Sequence, residues 1–205
     1  MRVAVVVYPG FEELDAVGPY DVLRTAAVAG ADVETLLVTR DHAGRVTGSN
    51  GLTVEPQGTL DDCPFDVVIV PGGGWNARAA AGAYAEAQRG ELPAALQRLH
   101  EAGATLASVC TGGMLVSAAG LSRGRPSTTH YLALDELRDA GAEVIEARVV
   151  DDGDLLSCGG VTAGIDLALW LVERSWGKEL ADAVARTIEH ERRGRVWSRR
   201  RAAPE

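Results

Sequence analysis

Aliphatic runs without polar interruption alternate along this chain with longer amphipathic stretches, and that alternation narrows the possible folds more than any other feature. Val3-Ala4-Val5-Val6-Val7, Leu36-Leu37-Val38, Val67-Val68-Ile69-Val70 and Leu106-Ala107-Ser108-Val109 lack the in-out pattern of a half-exposed strand. A strand apolar on both sides must be covered on both, which is the condition of a parallel sheet between helical layers. The pattern predicts strands over 2–8, 33–38, 66–70 and 105–109, with shorter ones at 143–145, 149–150 and 155–156. Helices are expected over 14–29, 92–102, 112–119, 131–140, 162–175 and 178–192. Gly44-Arg45-Val46-Thr47-Gly48 and Leu52-Thr53-Val54 read as a small β-hairpin excursion.

At 205 residues and 46% hydrophobic content the chain can bury one sizeable core, and residues 1–195 read as a single domain. Residues 196–205 read as a basic, unstructured tail, because Arg192, Arg193, Arg195, Arg199, Arg200 and Arg201 crowd the end. The net charge of -9 argues against nucleic acid or an anionic membrane as partner. No apolar run approaches the ~20 residues that span a bilayer. The start, Met1 to Tyr8, reads as a buried first strand rather than a signal peptide. Cys63, Cys110 and Cys158 are too few and too widely spaced for a disulfide framework or a CxxC metal site, which places the protein in a reducing, cytoplasmic compartment.

In an open parallel sheet, function collects in loops beyond the carboxyl ends of the strands, where strand order reverses. Three such loops hold unusual residues: Pro9-Gly10-Phe11-Glu12-Glu13-Leu14-Asp15, Pro71-Gly72-Gly73-Gly74-Trp75 and Cys110-Thr111-Gly112-Gly113. Cys110 occupies a tight strand-to-helix turn, facing the first free N–H groups of the next helix, a setting that favours thiolate. Glycines 72, 73 and 74 lack the spacing of a dinucleotide or phosphate loop, but bare backbone there can aim N–H groups at developing negative charge, with the Thr111 N–H as a second donor. Asp15, close to the apolar Ala16-Val17-Gly18-Pro19, is a carboxyl that can give or take a proton. Glu12 and Glu13 need do no more than complement the helix dipole. Trp75 is placed to wall a substrate pocket. Acid, bare backbone and nucleophile are the minimum set for addition to an electrophilic carbon or for acyl transfer.

These residues together resemble the DJ-1/PfpI superfamily: the acidic turn Gly10 to Asp15, Pro71-Gly72-Gly73, Ser108-Val109-Cys110-Thr111-Gly112, Thr128-Thr129-His130, and Gly159-Gly160-Val161-Thr162-Ala163-Gly164-Ile165-Asp166. Within it the isonitrile hydratase branch is the most similar, on Asp15, the Asp15-x-x-Gly18-Pro19-x-Asp21 continuation and Thr111 directly after the cysteine. The resemblance implies a flavodoxin-like α/β sandwich, a homodimer, and Cys110 as nucleophile with Asp15 as its acid/base partner. It further implies backbone donors at Gly73 and Thr111, and hydration of a small-molecule isonitrile to a formamide with no metal or organic cofactor. His130 stands near such a site without the position of a triad base. No histidine follows Cys110 directly, unlike in the protease-like relatives.

A glyoxalase or deglycase acting on aldehydes is the nearest enzymatic alternative, since the same cysteine and acid can add to a carbonyl. A non-catalytic ligand or redox sensor using Cys110 is the alternative from another class; the regulators of this kind carry a further DNA-binding region for which the chain after its last helix has no room. Cys63 is expected under a turn, Cys158 at the rim of the site, Trp170 and Trp176 in the core or an interface, and Asp166 on a helix surface. His42 and His100 have no ligand partner at metal spacing.

Overall fold

A computed structural model describes residues 1–41 and 44–199; His42 and the end of the arginine-rich tail lie outside them. The element order is β1 (Arg2–Val6), α1 (Glu13–Val28), β2 (Glu34–Thr39), β3 (Val46–Thr47), β4 (Thr53–Val54), β5 (Gly58–Thr59), β6 (Val67–Val70), α2 (Ala83–Arg89), α3 (Glu91–Glu101) and β7 (Thr105–Ser108). It continues with α4 (Gly112–Ala118), β8 (Pro126–Ser127), α5 (Leu134–Asp139), β9 (Glu143–Val144), β10 (Val149–Asp151), β11 (Leu155–Cys158), α6 (Ala163–Trp176), α7 (Lys178–Thr187) and β12 (Val196–Ser198).

Eight strands form one sheet in the order β12-β10-β11-β7-β6-β1-β2-β5, parallel at every pairing except β10 with β11. The expected aliphatic runs are its centre: every residue of β6 is buried, as are Val3 to Val6 of β1. Helices α1, α6 and α7 pack on one another, and α2, α3 and α4 form a second group. This is the flavodoxin-like sandwich that the two-sided apolar strands require. The chain runs from β1 out to β2 and returns to β6 on the other side of β1, so the loops after β1 and β6 flank the reversal of strand order.

The hairpin forms as expected, with Val46 opposite Val54 and Thr47 opposite Thr53. Glu13 ties it to α1, accepting from the Asn50 N–H at 2.6 Å and Asn50 Nδ2 at 2.7 Å, so this acid clamps a neighbouring element rather than only serving the helix dipole. Short elements are where the sequence reading falls behind. The helix expected over 131–140 is a 3-10 turn, Tyr131–Ala133, followed by α5. The last helix stops at Thr187 because Glu189 adopts a left-handed conformation (φ 51°). α2 carries little sequence signal, being seven residues long and ending at Gly90, which also opens α3.

Val196–Ser198 corrects the expectation of an unstructured tail: it is an edge strand parallel to β10. Arg199 anchors it through an ion pair with the buried Asp152, a partner that charge counting along the sequence does not reveal.

α1 and α6 approach closely at small residues. A Cβ on Gly164 would lie 3.0 Å from Val109 Cγ1 and 3.2 Å from Pro19 Cγ, so the hydrogen at this position sets the spacing of α6 from both the sheet and α1. We expect Gly164→Val to lower stability by about 1–3 kcal/mol, the usual penalty of overpacking, read as a reduced melting temperature. Unchanged melting would remove this contact from the constraints on the fold.

Candidate active site

β7 ends at Ser108, and two residues later the chain turns sharply into α4 at Cys110, which has a φ of 55°. That conformation costs a residue with a Cβ about 1–3 kcal/mol and persists only where surroundings hold it. Both ends of Cys110 are held: its N–H donates to the Gly159 carbonyl at 3.0 Å, and its carbonyl accepts from Thr129 Oγ1 at 2.7 Å. Gly112 makes the turn possible, since a Cβ there would stand 1.9 Å from the Val70 carbonyl oxygen.

Asp15, in the first turn of α1, is fully buried. Its Oδ2 accepts from the Gly72 N–H at 2.9 Å, while Oδ1 has no hydrogen-bond partner. Three further bonds hold the Pro71-Gly72 backbone. The Tyr8 hydroxyl donates to the carbonyls of Pro71 (2.5 Å) and Gly72 (3.1 Å), and the Glu12 N–H donates to the Gly72 carbonyl at 2.8 Å. Glycine is required at 72 because a Cβ would lie 2.4 Å from Thr111 Oγ1. The loops after β1, β6 and β7 therefore interlock at the strand-order reversal and bring Asp15 against Cys110.

Electrostatics in this enclosure run against one expectation. Cys110 is 6% exposed, and burial together with the Asp15 charge pushes its thiol up to about 12, although the N–H groups of Val161 and Thr111 pull the other way. The helix N-terminus does contribute donors, yet loss of water outweighs them, so the resting sulfur is a thiol and not the thiolate the turn alone suggested. Asp15 is pushed up to about 8, first by burial and then by the charge of Glu12, against the Gly72 N–H. Asp15 and Cys110 are close enough that each shifts the other: the Asp15 charge raises Cys110, and a hydrogen bond with Cys110 lowers Asp15.

The remaining expected site residues divide. The Gly72 N–H is engaged by Asp15 and the Gly73 N–H by Thr111 Oγ1 at 3.0 Å, so neither is free to serve as an anion donor. Those donors come instead from Thr111 and from Val161, whose φ of 44° turns its N–H to the sulfur. Val161 could have been found from Gly159-Gly160 ahead of α6, which repeats the glycine-to-helix pattern beside Cys110. Gly74 turns the chain (φ 68°). Trp75 is buried; its indole N–H donates to Glu136 Oε2 at 3.1 Å, and its ring meets Tyr84 edge-on under the Arg78 guanidinium, which ties the glycine loop to α5.

His130 is half-buried, with Nδ1 accepting from the Leu132 N–H at 3.3 Å and its ring against Gly160, where a Cβ would lie 2.6 Å from Cδ2. Burial lowers its pKa, and with Nδ1 accepting from Leu132 a neutral ring carries its proton on Nε2. It packs on the turn that faces the sulfur rather than on the sulfur. Cys158 is not at a rim: it is fully buried in β11, beneath the Cys110 backbone N–H. Asp166 is likewise buried, accepting from Arg148 Nε at 2.6 Å. Cys63 is half-buried, Trp170 is in the core, and His100 lies 3.5 Å from Asp154. Among the described residues no helix is long and apolar enough to cross a membrane, and no three His, Cys, Asp or Glu side chains are grouped to hold a metal ion.

The DJ-1/PfpI family matches residues 1–174. An isonitrile hydratase of Pseudomonas putida is 38% identical over 192 residues, covering 93% of this chain and 78% of the relative. A deglycase of Thermococcus kodakarensis is 30% identical, covering 77% of this chain and 89% of its own. Among solved structures, a THiJ/PfpI family protein from Pseudomonas syringae superposes with a TM-score of 0.81 at 30% identity, covering 93% of this chain and 75% of the other. Shared sequence along nearly the whole length, together with a strained cysteine turned toward a buried acid, makes this chain a member of the DJ-1/PfpI family.

Proposed function

We propose that the protein is an isonitrile hydratase, converting R–N≡C and water to the N-substituted formamide. The observation that carries this reading is a buried, proton-bearing carboxyl set beside the thiol closely enough that each shifts the other's titration. The terminal carbon of an isonitrile must receive both a proton and a nucleophile, so acid and sulfur have to converge on one atom. An aldehyde needs its proton on oxygen, away from the attacked carbon. The 38% identical isonitrile hydratase supports the same choice over the deglycase.

In the proposed mechanism Asp15 delivers its proton to the terminal carbon and the Cys110 sulfur bonds to the same carbon, its own proton passing to the Asp15 carboxylate. One C–H and one C–S bond form, one S–H bond breaks, and the triple bond becomes the C=N of a thioimidate. Water then adds to the thioimidate carbon, Asp15 taking one water proton and passing it to nitrogen; the tetrahedral intermediate collapses as its C–S bond breaks, and its hydroxyl proton passes through Asp15 to the sulfur, releasing the formamide and restoring the thiol. The Val161 and Thr111 N–H groups meet the negative charge that gathers on sulfur as it leaves. The Thr111 hydroxyl keeps the Gly73 backbone in place.

The test is formamide production from cyclohexyl isocyanide by the reduced protein. Cys110→Ala is expected to abolish turnover with the fold intact, and turnover surviving in that variant rejects the covalent route. No product from the reduced parent moves the assignment to aldehyde chemistry or sensing.

A second prediction follows from the buried acid. Unfolded, the Asp15 carboxyl ionises near 4, as an ordinary aspartate does; folded, it holds its proton to about 8. The folded state therefore binds the extra proton in this window, and stability falls as pH rises through it, by up to about 1.4 kcal/mol per pH unit. Asp15→Asn removes the titration and abolishes turnover. The melting temperature of the parent relative to Asp15→Asn should decline between pH 5 and 8; a constant difference rejects a proton-bearing Asp15.

A further inference from the structure

Five carboxyl side chains are buried among the described residues: Asp15, Glu86, Asp151, Asp152 and Asp166. Four of them are matched to guanidinium groups: Glu86 to Arg89 at 2.5 Å, Asp151 to Arg174 at 3.1 Å, Asp152 to Arg125 at 2.7 Å and Asp166 to Arg148 at 2.6 Å. Asp15 is the exception. In place of a cation it has a second carboxylate, Glu12, whose Oε2 accepts from the Asp15 backbone N–H at 2.9 Å and caps α1. Glu12 is partly exposed and stands at a helix N-terminus, whose dipole attracts negative charge.

The groups facing Asp15 from other elements bring no charge to balance it. From the loop after β6 comes the Gly72 N–H, from the elbow the Cys110 thiol, from β11 the Cys158 thiol, and from the end of β1 the Tyr8 phenol. Burial holds the last three in their neutral forms. Glu86, which acts on Tyr8 from α2, is matched by Arg89, and Arg148, beyond Cys158, is held by Asp166. Of this set Glu12 alone acts on Asp15 as an uncompensated charge.

We propose that Glu12 is a positioning residue that keeps the proton on Asp15, its anionic carboxylate forcing the buried neighbour to remain a carboxylic acid with Oδ1 free to donate into the site. This rests on the reading of Asp15 as the acid of the reaction. Like charges on two nearby carboxyls disfavour ionisation of the less hydrated one, and separating the two in this way divides the roles: Glu12 caps and repels, Asp15 donates. The cap and the charge are separable, because the amide oxygen of glutamine can accept the Asp15 N–H without carrying charge.

The experiment is a pH titration of the Asp15 side-chain carboxyl carbon by 13C NMR in the full chain, with its signal assigned by its loss in Asp15→Asn. The parent is expected to titrate near pH 8. In Glu12→Gln the midpoint should fall by about one pH unit, a tenfold easier ionisation, with the melting temperature nearly unchanged. Glu12→Ser, which retains a capping oxygen without charge, should show the same fall and guards against a fold defect peculiar to glutamine. A parent midpoint in the ordinary aspartate range, or a midpoint unmoved in both variants, overturns the proposal. Isonitrile turnover is measured separately: its absence beside the expected titration rejects the functional reading while leaving the role of Glu12 intact.

Discussion

The hydrogen bond from the Gly72 N–H to Asp15 Oδ2 joins loops that are 57 positions apart, and the rest of the site is arranged around it. It spans the point where strand order reverses, between β1 and β6. Tyr8 orients the Gly72 backbone from below, Glu12 fixes it from the side, and Thr111 occupies the next N–H along. With three loops drawn so close, no room remains for a Cβ at Gly72 or Gly112. The glycine-rich loop is thus a packing surface for two other loops before it is anything else.

Burial decides where the protons rest. A helix N-terminus usually lowers the pKa of a cysteine beside it, but Cys110 and Asp15 are both withdrawn from water, and burial raises both, with the Asp15 charge further opposing ionisation of Cys110. Such a pair stores its protons at rest and releases them when substrate supplies an acceptor. That state suits addition to a carbon that must be protonated and attacked, and it suits a redox-sensing cysteine less well, since peroxide reacts with thiolate.

Elsewhere the molecule treats buried acids conventionally. Asp166 gathers Arg148, His190 and the Arg193 N–H, and Asp152 takes Arg125 and Arg199. These networks account for part of the arginine-rich end of the chain: Arg192 pairs with Glu173 on α6, and Arg199 pairs with Asp152, just past β10, beside the strand β12 that joins the edge of the sheet. Removing one partner of such a pair strands a buried charge, which makes these positions structural. Against that background, Asp15, without a cation, stands out as a residue whose placement serves chemistry.

Sequence by itself determined the layered fold, the strand-to-helix elbow and the family, and it singled out Cys110 and Asp15 as the residues of the candidate site. Those features are written in local periodicity and in neighbours along the chain: two-sided aliphatic strands demand cover, and Cys110 precedes its own glycines. Tertiary structure alone decided which N–H groups are free, that Val161 rather than Gly73 faces the sulfur, that Cys158 lies beneath the elbow, and that Arg199 pairs with the buried Asp152. Hydrogen bonding and desolvation are properties of neighbours in space, and a residue's partners across the sheet's carboxyl edge come from loops whose separation in sequence carries no trace of their contact.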